Sequence, residues 1–271
     1  MPSCWKNKTI VITGGSRGLG LAIAKAFVER SSRVVLIGRD QDQLDVARQD
    51  LESLRGGTEV VTCSFDITDE EGFDQNFARL MESLGSVDVW VNCAGKSTRS
   101  ALQDSKIEEY RALMEINFFA ATRCTLAALP YLKMTHGHLV NIGSLASKTA
   151  WPLVAPYCAS KHALAALTQQ LRLEGPREVH YLHVCTGPIA RKDAEDRYRD
   201  QSAGLGEKAN QPGAGAPVGK IDPDDLAKKI VRACEKGDLE LIIPRRSKVL
   251  FILSQLSCRW GDWLLRRLSR K

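Results

Sequence analysis

Thr9-Ile10-Val11-Ile12-Thr13-Gly14-Gly15-Ser16-Arg17-Gly18-Leu19-Gly20 is a short β-branched run that breaks into a glycine-rich turn, and a helical pattern from Leu19 to Arg30 follows it. Strand, glycine turn and helix in that order make a cradle for a pyrophosphate. Glycine adopts positive φ and lets a ligand approach the backbone closely. The helix N-terminus adds free N–H groups and the positive end of its dipole. The spacing is G-x-x-x-G-x-G over Gly14, Gly18 and Gly20, not G-x-G-x-x-G. A tight turn with no ligand fits the same glycines, so the weight of the motif depends on its context.

The context repeats it. Apolar runs at Thr9–Thr13, Arg33–Ile37, Glu59–Phe65, Val87–Val91, His138–Ile142, Tyr181–Cys185 and Leu239–Ile243 read as strands. Several are rich in Val and Ile, as buried parallel strands are. Helical patterns lie between them at Leu19–Arg30, Gln41–Leu54, Glu70–Ser83, about Lys106 to Lys133, Tyr157–Leu173 and Pro223–Glu235. Alternation of this kind predicts an α/β fold, a Rossmann-type doubly wound parallel sheet with right-handed crossovers. Such sheets bind ligands outside the carboxyl ends of their strands. Residues 14–20, Arg39, Asp66, Asn92, Ser144 and Gly187 all follow predicted strands. The organisation expected is one catalytic domain over 1–246 and a C-terminal extension over 247–271. Within the domain, 190–220 breaks the rhythm, starting charged and ending rich in Gly, Ala and Pro. A loop of that length after the sixth strand is expected to act as a substrate-binding lid.

Composition narrows the function. The chain has 271 residues, 44% hydrophobic and 26% charged, enough for one well-buried domain. Eight scattered cysteines form no C-x-x-C pair and no cluster with His, so neither a disulfide framework nor a metal site is expected. Met1–Lys8 lacks the apolar core of a signal peptide, and no run approaches the length of a membrane span. A reducing, cytoplasmic setting is the expectation. The net charge of +6 is uneven: from Arg245 onward eight Lys and Arg face one acid, Asp262, a net +7, which leaves −1 on residues 1–244. A nearly neutral body argues against a nucleic-acid enzyme.

Two constellations carry chemistry. The first concerns a nucleotide. Chains that bind NAD usually place an acid at the end of the second strand for the ribose 2′-hydroxyl. Here Gly38 and Arg39 stand there, and Arg17 lies in the glycine turn. Two guanidinium groups suit a 2′-phosphate, so NADP(H) is expected ahead of NAD(H). Either arginine alone would read equally well as a solvated charge. The second is Tyr157-Cys158-Ala159-Ser160-Lys161, with Ser144 thirteen residues upstream. Free tyrosine, with a pKa of about 10, is a poor acid–base catalyst near neutrality. An ammonium four residues later on the same helix face favours the phenolate. A serine hydroxyl after the neighbouring strand can bond the substrate oxygen. By spacing alone, Tyr-x-x-x-Lys is more often a surface pair.

Taken together these residues resemble the short-chain dehydrogenase/reductase family from about Thr9 to Ile243. Thr13–Gly20 matches its cofactor turn, which includes Gly14, Ser16, Arg17, Gly18, Leu19 and Gly20. Asp66, with Ile67 beside it, matches the acid that contacts the adenine amine. Asn92-Cys93-Ala94-Gly95 resembles the family's N-N-A-G, and Gly187-Pro188-Ile189 sits where the backbone touches the nicotinamide amide. Asn117, Ser144, Tyr157 and Lys161 fall where the family keeps its catalytic tetrad. The resemblance implies hydride transfer between a nicotinamide and a carbonyl. Tyr157 would serve as acid–base, Ser144 would orient the oxygen, Lys161 would lower the tyrosine pKa and hold the ribose, and Asn117 would anchor a water that links Lys161 to solvent. It also implies a homodimer or homotetramer. Two positions depart from the pattern. Cys93 replaces the second Asn, a mild change at a position expected to support the sheet. Thr186 replaces the Pro before Gly187, which predicts a looser nicotinamide side.

The small-molecule carbonyl or alcohol is not named by any motif. Trp151 and Leu153, between Ser144 and Tyr157, are expected to contact it along with Ser144 and Tyr157. Lys96, Arg99 and Lys148 read as solvated loop charges, with attraction of an anionic substrate as the alternative. In the tail, Val249, Ile252, Leu253, Leu256, Trp260, Trp263 and Leu264 recur at helical spacing among arginines, and Gly261 is expected to split it into two short helices. Two readings stand nearly level: the stripe packs on protein, or it makes peripheral membrane contact. For the whole chain the main expectation is an NADP(H)-dependent carbonyl reductase. A non-catalytic NADP(H) sensor and a dehydrogenase working oxidatively are the alternatives.

Overall fold

Val- and Ile-rich strands covered on both faces need helices on both sides, and the chain supplies them in alternation. The computed structural model describes residues 4–191, 202 and 204–270. The strands are β1 (Thr9–Thr13), β2 (Arg33–Gly38), β3 (Val60–Ser64), β4 (Val89–Asn92), β5 (His138–Ile142), β6 (His180–Thr186) and β7 (Glu240–Ile243). They form one parallel sheet in the order β3-β2-β1-β4-β5-β6-β7. Every expected strand is present, with ends moved by at most two residues.

The two sides of the sheet are read from alternate residues. Ile10 and Ile12 of β1 pack with α1 (Gly18–Val28), α2 (Gln41–Leu54) and the later helix Pro223–Lys236. Val11 faces the other way, into a cluster with Phe73, Phe77 and Leu80 of α3 (Glu70–Leu84) and with Trp90. That second face is closed by α4 (Ile107–Met114), α5 (Ala120–Thr135) and α6 (Ala155–Glu174); Pro223–Lys236 is α7. Capping is explicit where helices start. Asp40, Asp69 and Asp222 each accept a backbone N–H from the first turn of α2, α3 and α7.

Two sequence expectations change. The helix expected over about 106–133 is not uniform, because a π turn at Glu115–Phe119 joins α4 to α5. The whole run, Ile107–Thr135, is 29 residues long with hydropathy 1.2 and is long and apolar enough by composition to cross a membrane. No run of that kind was expected from the sequence. In the fold it is a flank of the sheet: Ala121, Cys124, Ala128 and Leu132 are buried against it. The tail forms α8 (Ser247–Leu256) and α9 (Cys258–Arg270), but the break falls at Ser257 and Gly261 lies inside α9. Of the expected lid, residues 192–201 and 203 lie outside the described residues. Its remainder includes a helical turn at Glu207–Asn210 and a 3₁₀ turn at Pro212–Gly215.

Asn92 closes β4 and ties the sheet to α5. Its Nδ2 donates to Asn141 Oδ1 at 2.8 Å and Thr125 Oγ1 at 2.9 Å, and its Oδ1 accepts from Trp90 Nε1 at 2.9 Å. Asn141 Nδ2 passes the chain on to Thr168 Oγ1 of α6. Asn92→Ala strands several buried polar atoms. It should lower stability by about 1–3 kcal/mol, read as a reduced urea midpoint with an unchanged slope.

Candidate active site

The carboxyl ends of β1, β2, β4, β5 and β6 open into one cleft of about 1770 Å³. One wall is the glycine turn. Gly14 has φ +67°, and a Cβ there would lie 2.9 Å from Ala94 Cα. A Cβ on Gly20 would collide with the Gly14 carbonyl, so α1 can start this close to β1 only through glycine. Gly14, Ser16, Arg17, Gly18, Leu19 and Gly20 all line the cleft. The residues present therefore form a backbone cradle with room for a dinucleotide.

At one end stand Arg17, Arg39, Asp66 and Ile67. Arg39 Nη1 lies 3.5 Å from Asp66 Oδ2, with the arginine side chain 61% exposed. Desolvation pushes the Asp66 carboxyl upward. Hydrogen bonds from the Thr68 N–H and hydroxyl, together with the Arg39 charge, outweigh that and hold its pKa below the ordinary value.

At the other end the expected tetrad converges. A Cβ placed on Gly95 would be 2.8 Å from Asn117 Oδ1 and 3.7 Å from Lys161 Nζ, so both side chains meet around that glycine. The π turn delivers Asn117; turns of this kind frequently mark functional positions. Asn117 Oδ1 accepts from Lys96 N at 2.9 Å, and its Nδ2 donates to Lys96 O at 2.9 Å and Ser160 Oγ at 3.0 Å. Lys161 Nζ donates to the Ile142 carbonyl at 2.8 Å and sits 6.0 Å from the centre of the Tyr157 ring. Burial pulls the Lys161 pKa from 10.5 down to about 8, with neighbouring Cys93 opposing. Ser144 caps the 3₁₀ turn Leu145–Ser147, and its Oγ accepts the Ala146 N–H at 3.1 Å. Ser144, Tyr157 and Lys161 share the cleft wall with Ala94, Gly95, Gly187 and Ile189.

Some expected residues sit elsewhere. Asn92 is buried in the sheet–helix network just described and does not line the cleft. Leu153, at φ +66°, turns into a small cluster with Ala146 and Cys158, while Trp151 and Val154 reach the cleft. Cys93, expected to support the sheet, lines the cleft, and desolvation raises its pKa to about 11, so it stays a neutral thiol. Thr186 is buried at the end of β6. Its hydroxyl donates to Gly187 O, and Gly187 N donates to Ile243 O at 2.8 Å.

Arg99 overturns the solvated reading. It is 3% exposed, donating through Nε to Ala209 O at 2.9 Å and through Nη1 to Ser97 Oγ and Thr98 O. Trp151 Nε1 reaches Ala214 O at 3.2 Å. Arg99 and Trp151 thus tie the described part of the lid to the body. Lys148 pairs with Glu240 at 2.7 Å. Sequence reasoning also missed Thr13, whose Oγ1 accepts the N–H groups of Cys93 and Ala94. A hydroxyl closing a buried strand beside a glycine turn was the available signal.

The family model for short chain dehydrogenases matches residues 8–202. The chain belongs to the short-chain dehydrogenase family. It is 33% identical over 216 residues to an uncharacterized oxidoreductase of Mycobacterium bovis, covering 74% of this chain and 63% of that protein. The chain thus spans less than two thirds of the length of that relative. Among solved structures, an alcohol dehydrogenase from Thermococcus sibiricus complexed with 5-hydroxy-NADP is similar at TM-score 0.72 and 27% identity, over 88% of this chain and 94% of that one. L-sorbose reductase from Gluconobacter frateurii, complexed with NADPH and L-sorbose, is similar at TM-score 0.75 and 25% identity, over 89% and 95%.

The low Lys161 pKa sets a pH dependence. Between about 8 and 10.5 the folded chain has released a proton that the unfolded chain still holds. Stability from this group therefore rises with pH through that window and is lowest below it. Denaturation of the wild type, compared with Lys161→Met over that range, should show the wild type gaining relative to the variant. A flat difference would contradict the burial argument.

Proposed function

We propose that this chain is an NADP(H)-dependent oxidoreductase that interconverts a ketone or aldehyde and its alcohol, acting as a carbonyl reductase on a lipophilic substrate. The observation that carries the reading is the approach of Asn117 and Lys161 around Gly95, with Lys161, Tyr157 and Ser144 on the wall of the same cleft that the glycine turn lines. Preference for the 2′-phosphate rests on Arg17 and Arg39 at the adenosine end. The exposed, 3.5 Å pair with Asp66 is weak enough for the Arg39 guanidinium to turn to a phosphate. Apolar substrate is supported by Trp151, Val154, Leu250 and Phe251 on the cleft wall.

When bound, the reduced nicotinamide supplies the hydride. Tyr157 donates the proton to the carbonyl oxygen. Lys161, desolvated and held by the Ile142 carbonyl, stabilises the phenolate that remains. The Ser144 oxygen already accepts the Ala146 N–H, which orients its own O–H to donate to the substrate oxygen. Asn117 clamps the Lys96 backbone, and so the Gly95 turn, beside Lys161.

Assembly into a homo-oligomer is part of the same reading. Phe119, Leu126, Met134 and Leu173 are exposed apolar side chains on the α5 and α6 side. Sedimentation should show a mass above the monomer, and a monomer at assay concentration would remove this part. For the chemistry, loss of reduced-nicotinamide absorbance should occur with NADPH and a long-chain ketone. Tyr157→Phe should cut turnover by roughly 10²–10⁴-fold and keep NADPH affinity; retained turnover would sink the assignment. Arg39→Asp should weaken NADPH binding roughly 10–100-fold and leave NADH little changed.

A further inference from the structure

The tail has two faces with different surroundings. On the inner side Phe251 is buried with Cys185 and Ile242, so α8 is fastened to the sheet edge. Leu250 and Phe251 of α8 and Leu265 and Leu268 of α9 line the cleft. α9 folds back on α8 tightly, since a Cβ on Gly261 would lie 2.8 Å from Ser254 Cβ. On the outer side Val249, Ile252, Leu256, Trp260 and Trp263 are each more than half exposed. Leu256 and Trp260 flank the turn at Ser257 and form the tip of the hairpin. Arg245, Lys248, Arg259, Arg266 and Arg267 of the same segment are exposed, and the Arg267 guanidinium lies 5.5 Å from the Trp263 ring centre.

A fold that packs a helix on protein through one stripe has no use for a second apolar stripe on its outer side. We propose that the outer face of the α8–α9 hairpin docks this protein on an anionic lipid bilayer. The apolar side chains enter the headgroup boundary, indole rings sit at that depth, and the flanking cations meet acidic headgroups. Charge selects this occupant. A second copy would bring one +7 tail against another, whereas an anionic surface is complementary. The exposed aliphatic residues Val249, Ile252 and Leu256 likewise have nothing to bond on a nucleic acid. Because the inner face of the same two helices borders the cleft, docking holds the cleft one helix layer from the lipid surface. A membrane-dissolved carbonyl then has a short path from the bilayer to the cleft. That last step rests on the carbonyl reductase reading; the docking does not.

The test is sedimentation of the full chain with vesicles of phosphatidylcholine alone and of phosphatidylcholine with phosphatidylserine. Binding should require phosphatidylserine and fall as salt is raised. Arg259→Gln/Arg266→Gln should weaken partitioning roughly 30-fold. Trp260→Ser/Trp263→Ser should lose it while the protein keeps its circular dichroism and melting temperature. Tyr157→Phe should bind vesicles as the wild type does, so docking is read whether or not the chain reduces carbonyls. Absence of binding, or equal binding to both vesicles, would overturn the proposal. So would a tryptophan variant that changes sedimentation mass in solution and leaves vesicle binding intact, because the face would then join copies of the chain. The access step has its own readout: phosphatidylserine vesicles should raise turnover of a long-chain ketone several-fold in the wild type and not in Trp260→Ser/Trp263→Ser. Turnover that ignores vesicles would remove that step alone.

Discussion

The site depends on the seam between β1 and β4, where the order of the sheet reverses direction. On one side of β1 the chain winds outward through β2 and β3, and on the other through β4 to β7. Helices from the two halves diverge there and leave the strand ends open. Thr13 Oγ1 closes the seam by accepting the N–H groups of Cys93 and Ala94 while itself donating to Val91 O. That hydroxyl brings the glycine turn of one half against the Ala94–Gly95 turn of the other. The close approach of Gly14 to Ala94 is its direct result. Everything further along the cleft is hung from this contact.

The reacting end is organised by burial more than by pairing of charges. Lys161 is nearly inaccessible and its Nζ donates to the Ile142 carbonyl, so burial leaves its proton loosely held. On the proposed reading, an ammonium kept at the edge of ionisation suits a tyrosine whose proton moves near neutrality. Asn117 supports this from a π turn, which widens the helix locally and directs a residue inward that a regular α-helix would place differently. Its amide grips both the N–H and the C=O of Lys96, which fixes that residue's backbone beside Lys161.

The far rim is built by parts remote in the chain. Arg99 and Trp151 reach across to the carbonyls of Ala209 and Ala214, and the tail hairpin adds Leu250, Phe251, Leu265 and Leu268. A rim made of these pieces is apolar on one wall and backbone-bonded on the other. On the proposed reading, such a rim shapes the substrate while the chemistry stays at Tyr157.

Much of this was legible in the sequence because it is local. Period-two and unbroken apolar runs marked the strands, glycines marked the turn, and the Tyr157–Lys161 spacing put both groups on one helix face. Each of these follows from backbone geometry over a few residues. What tertiary structure alone decided is non-local. Arg99 looks like a solvated charge until the carbonyls of Ala209 and Gln211, more than a hundred residues away, join its local acceptors. Leu153 and Val154 are neighbours in one small cluster, and of the two Val154 lines the cleft. Gly261 reads as a helix breaker until Ser254 is found against it, where any side chain would collide. The tail's apolar periodicity holds one stripe too many for a single contact. The sequence carries both stripes, but only packing against β7 and the cleft shows which one is covered and which is left to meet another surface.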